Sequence, residues 1–125
     1  MERKMYKHNG NTVYLVKNKY ANNGRLAVQA FVLDGEMAFP YATITVNLPY
    51  ERVTDERCAF IDENNLPDIW LWLVMNGIAE TTGHIGYSGF CSYHEVRFNL
   101  DSFSCNGTEI EKEEEEYEDI EKKFA

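Results

Sequence analysis

CAFIDENNLPDIWLWLVMNGIAETTGHIGYSGFCSYH, residues 58–94, is the stretch that decides the fold. It contains both tryptophans, two of the three histidines, and the longest apolar run, IWLWLVM at 69–75. A membrane span needs roughly 20 apolar residues, so this run is too short to be one. It indicates instead a short helix that the rest of the chain buries on most sides.

The helix is predicted over residues 66–76. Asn65 can cap its start, while Pro67 and Asp68 in the first turn suit a lost N–H and a negative charge. Gly77 follows as a stop signal, because glycine readily takes the positive φ that ends a helix. So short a helix is not stable alone and must pack on a sheet.

Alternating apolar residues on either side of this stretch predict strands. Three turn signals, 8–11, 21–24 and 34–36, separate four N-terminal runs and predict an antiparallel meander. The third run, 25–33, is apolar on both faces and should lie centrally in the sheet. The four runs span 3–8, 12–20, 25–33 and 37–47, and further strands are predicted at 58–61, 78–82 and 90–100, with a glycine-punctuated loop at 83–89.

The predicted fold class is α+β: a twisted antiparallel sheet of about five to six strands, packed on one short buried helix. A chain of 125 residues that is 44% hydrophobic fits one domain with a core of its own. We assign residues 1–106 to that domain and residues 107–125 to an acidic tail, helical or disordered.

The cysteine content and the N-terminal residues indicate the cellular compartment of the protein. Three cysteines without a C-x-x-C pair favour reduced thiols, and MERKMYKHNG lacks the apolar segment of a secretory signal. We therefore expect a cytoplasmic protein with no membrane segment.

The net charge of −9 is unevenly distributed. Residues 109–125 carry nine acidic residues and three lysines, so most of the charge lies in the tail. This charge disfavours direct nucleic-acid binding and favours contact with a basic, nucleic-acid-binding surface of another protein. Simple solubility is the alternative reading. The tail also carries an apolar stripe formed by Ile110, Tyr117, Ile120 and Phe124. A helix with this stripe could pack on the body, pair with a second copy in a homodimer, or fray.

His84, Cys91 and His94 form the only cluster with metal-ligand chemistry in the sequence. Zinc needs three or four such ligands in tetrahedral arrangement, and a thiol enzyme would need Cys91 beside a histidine and an orienting acid such as Glu80. A half-buried histidine and a buried cysteine explain the same residues. We therefore expect no catalytic residue, no metal and no cofactor, and keep a small metal- or thiol-dependent enzyme as the alternative.

Exposed aromatic and acidic side chains are the predicted partner-binding residues. Tyrosine is over-represented at protein interfaces, and the acidic tail supplies charge complementarity. The predicted contact residues are Tyr87, Tyr93, Glu113, Glu114, Glu115, Glu116, Glu118 and Asp119.

Three segments, YATITVNLP (41–49), AFIDENN (59–65) and NGIAETTGHIGYSGFCSYHEVRF (76–98), resemble an uncharacterised domain family carried by phages and conjugative elements of Gram-positive bacteria. The run 17–34 is also similar to anti-restriction proteins. The resemblance implies a mobile-element setting, in which small acidic proteins inhibit host defence nucleases. It implies a non-enzymatic, anti-CRISPR-like inhibitor whose partner is a Cas9-type nuclease or its guide complex.

Overall fold

The computed structural model describes residues 4–103 and 105–106. Within these ranges it contains nine strands and one α-helix. A 3₁₀ turn at Leu100–Ser102 separates the last two strands. The elements are β1 Tyr6–His8, β2 Asn11–Lys19, β3 Leu26–Asp34, β4 Met37–Thr43, β5 Thr45–Val46, β6 Cys58–Ile61, α1 Ile69–Met75, β7 Ala79–Ser88, β8 Cys91–Phe98 and β9 Cys105–Asn106.

The strands form two sheets. The first has the order β1-β2-β3-β4, with β9 beside β2, and the second has the order β5-β6-β8-β7. All pairs are antiparallel except β2 with β9. The N-terminal meander and the internal position of β3 are confirmed. The expectation of one sheet with five to six strands is wrong, because the nine strands of the described residues divide between two sheets.

The division into two sheets arises at Ile44, inside the run 37–47 that the sequence predicts as one strand. The Ile44 N–H donates to the Val28 carbonyl of the first sheet at 2.8 Å. The Ile44 carbonyl accepts from the Asp62 N–H, just after β6 of the second sheet, at 2.9 Å. Ile44 is itself buried, so one residue passes the chain from one sheet to the other.

A single core lies between the inner faces of the two sheets and the helix. β2 supplies Val13 and Leu15, since alternate residues of a strand share a face. The opposite faces of the two sheets carry smaller clusters of their own. The principal core residues are Val13, Leu15, Val28, Ile44, Ile61, Ile69, Leu73, Ile78, Val96 and Phe98.

The helix is shorter than the predicted 66–76. Asp68 occupies the N-cap position without a side-chain cap, and Asn65 bonds Asp62 instead of the helix. The stop at Gly77 is confirmed: Gly77 has φ 68°, and its N–H donates to the Val74 carbonyl at 3.2 Å. A hydrogen bond from Ile78 to the Leu73 carbonyl completes this glycine-based helix end.

The prediction that the helix is buried on most sides is wrong for the described residues. Only Ile69 and Leu73 are buried, because they face the core. The apolar side chains of Leu71, Val74 and Met75 are exposed on the outer side.

The glycine-punctuated loop predicted at 83–89 is also wrong, because β7 runs through it. An irregularity in the β7–β8 register lies between Thr81 and Ile85, where Gly83 has φ 85°. The strands turn at Gly89, with φ 61°. Positive φ is cheap for glycine, so these residues bend and end a hairpin here.

Candidate functional site

Residues 48–57 form a strap across the outer face of the second sheet, away from the core. Leu48 lies with Phe60 and Tyr93 in the apolar cluster of this face, and Val53 packs against it. The Leu48 carbonyl accepts from the Arg25 guanidinium at 2.6 Å. The strap is therefore anchored to both sheets.

Glu95 of β8 holds the middle of the strap. Its side chain is fully buried, and it accepts hydrogen bonds from the Thr54 N–H at 2.7 Å and the Thr54 hydroxyl at 2.5 Å. The Thr82 hydroxyl of β7 donates a third, also at 2.5 Å. All three groups donate to the two carboxylate oxygens of Glu95. Glu95 thus joins the strap to two strands.

Asp55 fixes the end of the strap. Its carboxylate lies 2.7 Å from Nη2 of Arg97, and its Oδ1 accepts from the Arg57 N–H. The hydrogen bond from Arg97 is the main cause that lowers the pKa of Asp55 to about 2, and the same bond raises the pKa of Arg97. Burial is the main cause that raises the pKa of the adjacent Cys58 thiol to about 11, so this cysteine is held as a neutral thiol.

Gly86 of the hairpin has a packing role beneath the strap. A Cβ atom on Gly86 would lie 2.6 Å from the Phe60 ring and 2.9 Å from the Leu48 side chain. Only glycine leaves room for that ring.

The hairpin end and the adjacent strap turn expose three aromatic side chains. Tyr50 and Phe90 are fully exposed, and Tyr87 is 63% exposed. The Glu51 carboxylate accepts from the Tyr87 N–H at 2.6 Å, so the strap turn lies beside the hairpin end. We call Tyr50, Tyr87 and Phe90 the aromatic tip. Its side chains are exposed to solvent and can contact another molecule.

The predicted partner-binding tyrosines have different surroundings. Tyr87 belongs to the aromatic tip. Tyr93 is buried in the cluster under the strap, and its hydroxyl accepts from the Asn64 side chain at 3.2 Å. Burial is the main cause that raises the pKa of Tyr93. The predicted acidic contacts Glu113, Glu114, Glu115, Glu116, Glu118 and Asp119 lie outside the described residues.

His84, Cys91 and His94 do not converge. His84 lies on Phe60 at the outer face, and its Nε2 donates to the Arg52 carbonyl at 3.0 Å. His94 lies on the core face, stacked on Trp70 of the helix with ring centroids 4.5 Å apart. Cys91 contacts Asn64, with Nδ2 of Asn64 2.9 Å from Sγ. Among the residues that the structure describes, no group of three or more His, Cys, Asp or Glu side chains could hold a metal ion.

Sequence reasoning missed a carboxylate–imidazole pair that joins Glu63, in the turn after β6, to His94 of β8. Glu63 accepts from Nδ1 of His94 at 2.7 Å and from the His94 N–H, also at 2.7 Å. The pair ties the turn that follows β6 to β8, and stacking on Trp70 fixes the imidazole plane. A carboxylate can orient an imidazole as a base, but Cys91, three residues along the strand, lies on the opposite face.

A second missed cluster lies at the start of the helix, around the buried His8 of β1. Its Nδ1 lies 2.7 Å from the Tyr41 hydroxyl, and its Nε2 lies 3.0 Å from an Asp68 carboxylate oxygen. The Asp68 contact is close, but Nε2 does not meet it in hydrogen-bonding geometry. The Trp72 indole N–H donates to the Lys7 carbonyl at 2.6 Å. These contacts seat the helix on the first sheet. β1 reads Tyr6-Lys7-His8, a short polar strand, so the sequence carries no local signal for this cluster.

A comparison with known families matches residues 14–120 to a domain of unknown function, DUF4313. The chain belongs to the DUF4313 family. The match extends past Gly107 and includes residues 107–120 of the acidic segment. No curated protein and no solved structure matches this DUF4313 chain.

Membership of the DUF4313 family agrees with the expected resemblance to an uncharacterised family. It does not indicate an activity. In the described part of this DUF4313 chain, no helix is long and apolar enough to cross a membrane.

Proposed function

We propose that this protein is a non-enzymatic binding protein that contacts a protein partner through the aromatic tip. The observation that carries the proposal is the exposure of Tyr50, Tyr87 and Phe90 at one end of the second sheet. Burying large aromatic side chains supplies much of the energy of protein association, and few residues usually dominate it.

The tip is supported rigidly, which favours binding without a large entropic cost. Glu51 holds the strap turn to Tyr87, and the buried Glu95 holds the strap to β7 and β8. Gly86 allows Phe60 to pack directly beneath the hairpin. These contacts hold in place the hairpin and the strap that carry the three aromatic residues.

The proposed partner is a protein with a basic, nucleic-acid-binding surface, and the narrowest form of the proposal is a Cas9-type defence nuclease. The net charge of −9 supports a basic partner, because opposite charges steer association. A Cas9-type channel holds its heteroduplex through backbone contacts in a positively charged groove. The resemblance to proteins of mobile elements supports the inhibitory role.

The test is binding to a purified Cas9-type nuclease, with and without guide RNA, at low and high salt. The unmodified protein should bind, and more weakly at high salt because charge contributes. Phe90→Ala should weaken binding at least about tenfold, as expected for an interface anchor. Met37→Ala is the matched control, because Met37 is an exposed apolar residue of β4 in the other sheet.

Two outcomes would contradict the proposal. Failure of the unmodified protein to bind would remove the nuclease as partner. Equal binding by the Phe90→Ala and Met37→Ala variants would remove the aromatic tip as the contact.

A further inference from the structure

The turn between β1 and β2 consists of an asparagine followed by a glycine. Asn9 has φ 49° and Gly10 has φ 83°. Two successive residues of positive φ form the tight turn of a two-residue hairpin, for which Asn-Gly is a preferred sequence. His8 and Asn11 pair directly on either side of the turn. Both turn residues are exposed to solvent.

An asparagine that precedes a glycine can change covalently without an enzyme. The glycine amide nitrogen loses its proton and bonds to the side-chain carbonyl carbon of the asparagine, while the bond from that carbon to the side-chain nitrogen breaks and ammonia leaves with the proton. Water then opens the five-membered imide at either carbonyl. Attack at one carbonyl gives aspartate, and attack at the main-chain carbonyl gives isoaspartate, in which the main chain continues through the former side chain. Glycine permits the close approach, because it has no side chain.

The sequence contains four Asn-Gly pairs, at 9–10, 23–24, 76–77 and 106–107, and the structure describes both residues of the first three. The reaction requires two freedoms. The glycine N–H must not be held by another acceptor, and the asparagine side chain must be free to turn towards it. The three described pairs differ in both respects.

The pair at 23–24 is restrained twice. The Gly24 N–H donates to the Tyr20 carbonyl at 2.8 Å. The Asn23 side chain donates to Oδ1 of Asn47 at 3.0 Å, and its own Oδ1 accepts from the Arg25 N–H at 3.1 Å. These hydrogen bonds must break before the imide can form.

The pair at 76–77 is restrained in the same way by the end of the helix. The Gly77 N–H donates to the Val74 carbonyl at 3.2 Å. Nδ2 of Asn76 donates to the Trp72 carbonyl at 2.8 Å. The nucleophile and the carbonyl carbon are therefore both held by the helix.

Neither restraint exists at Asn9. Among the described residues, no hydrogen bond involves the side-chain amide of Asn9 or the N–H of Gly10. We propose that Asn9 is a covalent modification site, at which the folded chain converts to isoaspartate before Asn23 or Asn76 does.

Isoaspartate at this position would release β1. It adds one carbon atom to the main chain between residues 9 and 10, so the two-residue turn no longer keeps His8 opposite Asn11. β1 has only three residues, and it holds the helix through the bond from the Trp72 indole N–H to the Lys7 carbonyl. The modification therefore loosens the helix from the first sheet. This inference does not depend on the proposed function at the aromatic tip.

Peptide mapping by mass spectrometry of the full chain, sampled during incubation in mildly alkaline buffer, tests the site. In the folded protein, Asn9 should convert at least about tenfold faster than Asn23 and Asn76, because hydrogen bonds must break first at the other two sites. In urea, the three residues should convert at similar rates, because each is followed by glycine. An unconverted Asn9, or conversion of Asn23 or Asn76 at the same rate in the folded protein, would overturn the proposal.

Thermal melting tests the consequence. Asn9→Gly is the matched variant, because glycine takes positive φ readily and has no side chain to convert. The melting temperature of the unmodified chain should fall further during incubation than that of Asn9→Gly, and an equal fall would overturn the proposed release of β1. Fresh Asn9→Asp, which adds the charge without the extra main-chain atom, should melt with the fresh unmodified chain. If it melts as low as the incubated chain, the charge and not the longer main chain is the cause, and the proposed release is refuted.

Discussion

Replacing Glu95 with alanine should be among the most damaging single changes in this protein. The substitution removes the acceptor of three hydrogen bonds, two from Thr54 and one from Thr82. Each hydrogen bond contributes about 1 kcal/mol net, and a buried donor left without an acceptor costs about 1–3 kcal/mol. Because Glu95 is fully buried, we expect a loss of about 3–5 kcal/mol in the free energy of unfolding.

Glu95→Gln should cost much less. Its amide oxygen can accept from the Thr54 N–H, which can only donate, while its NH₂ group faces the two hydroxyls. Hydroxyl groups rotate and can accept as well as donate, so all three contacts survive in altered form. We expect a loss below about 2 kcal/mol.

Urea denaturation of the three chains measures these differences. Glu80→Ala is the control, because Glu80 is an exposed carboxylate of β7 that lies 3.6 Å from Nη1 of Arg97. Exposed ion pairs contribute little, so its effect should stay within about 0.5 kcal/mol. If the free energies of unfolding of Glu95→Ala and Glu80→Ala differ by less than about 1 kcal/mol, the strap does not depend on the buried carboxylate. That result would refute this reasoning.

Three further outcomes follow from contacts under and beside the strap. Gly86→Ala should destabilise by about 2 kcal/mol or more, since its Cβ would lie 2.6 Å from the Phe60 ring, and a normal melting temperature would contradict this. In a chain whose other cysteines are serine, Cys58 should label at pH 8 only after unfolding, because burial raises its pKa to about 11; rapid native labelling would count against it. Asp55 has its pKa lowered to about 2 by Arg97, so its stabilisation is complete above its ordinary pKa near 4 and is lost between about pH 4 and pH 2. The stability difference between the unmodified chain and Asp55→Asn, measured by urea titration, should shrink over that window, and a constant difference would exclude this linkage.

Local patterns predicted the N-terminal meander well because each turn carries its own signal. The residues at 8–11, 21–24 and 34–36 specify turns through glycine and asparagine, and the strands between them alternate. Cys58–Ile61 and the helix stop at Gly77 were likewise visible. In each case the deciding interaction lies within a few residues along the chain.

The errors arose where distant contacts decide the structure. The run 37–47 looks like one strand, and only the partners of Ile44 on two sheets divide it. Glycines at 83, 86 and 89 resemble a loop, yet Gly86 is small because Phe60 lies against it. The helix begins after Asp68 and not at residue 66, and Asp68 lies beside His8 of the distant strand β1.

The candidate site could be foreseen only in part. The prediction of Tyr87 rests on the frequency of tyrosine at protein interfaces, and Tyr87 is exposed in the aromatic tip. No local pattern distinguishes exposed aromatic residues such as Tyr50 and Phe90 from aromatic residues of the core. Glu95 carries no signal either, since its three donors come from residues 13 and 41 positions away.

The position of Ile44 also affects how the protein unfolds. Its N–H is hydrogen-bonded to the first sheet and its carbonyl accepts a hydrogen bond beside the second, so one residue connects the two sheets. Separation of the N-terminal meander from the rest of the fold would therefore disturb β5, the strand that follows Ile44. Thermal melting should accordingly show a single cooperative step, with the two halves of the protein lost together.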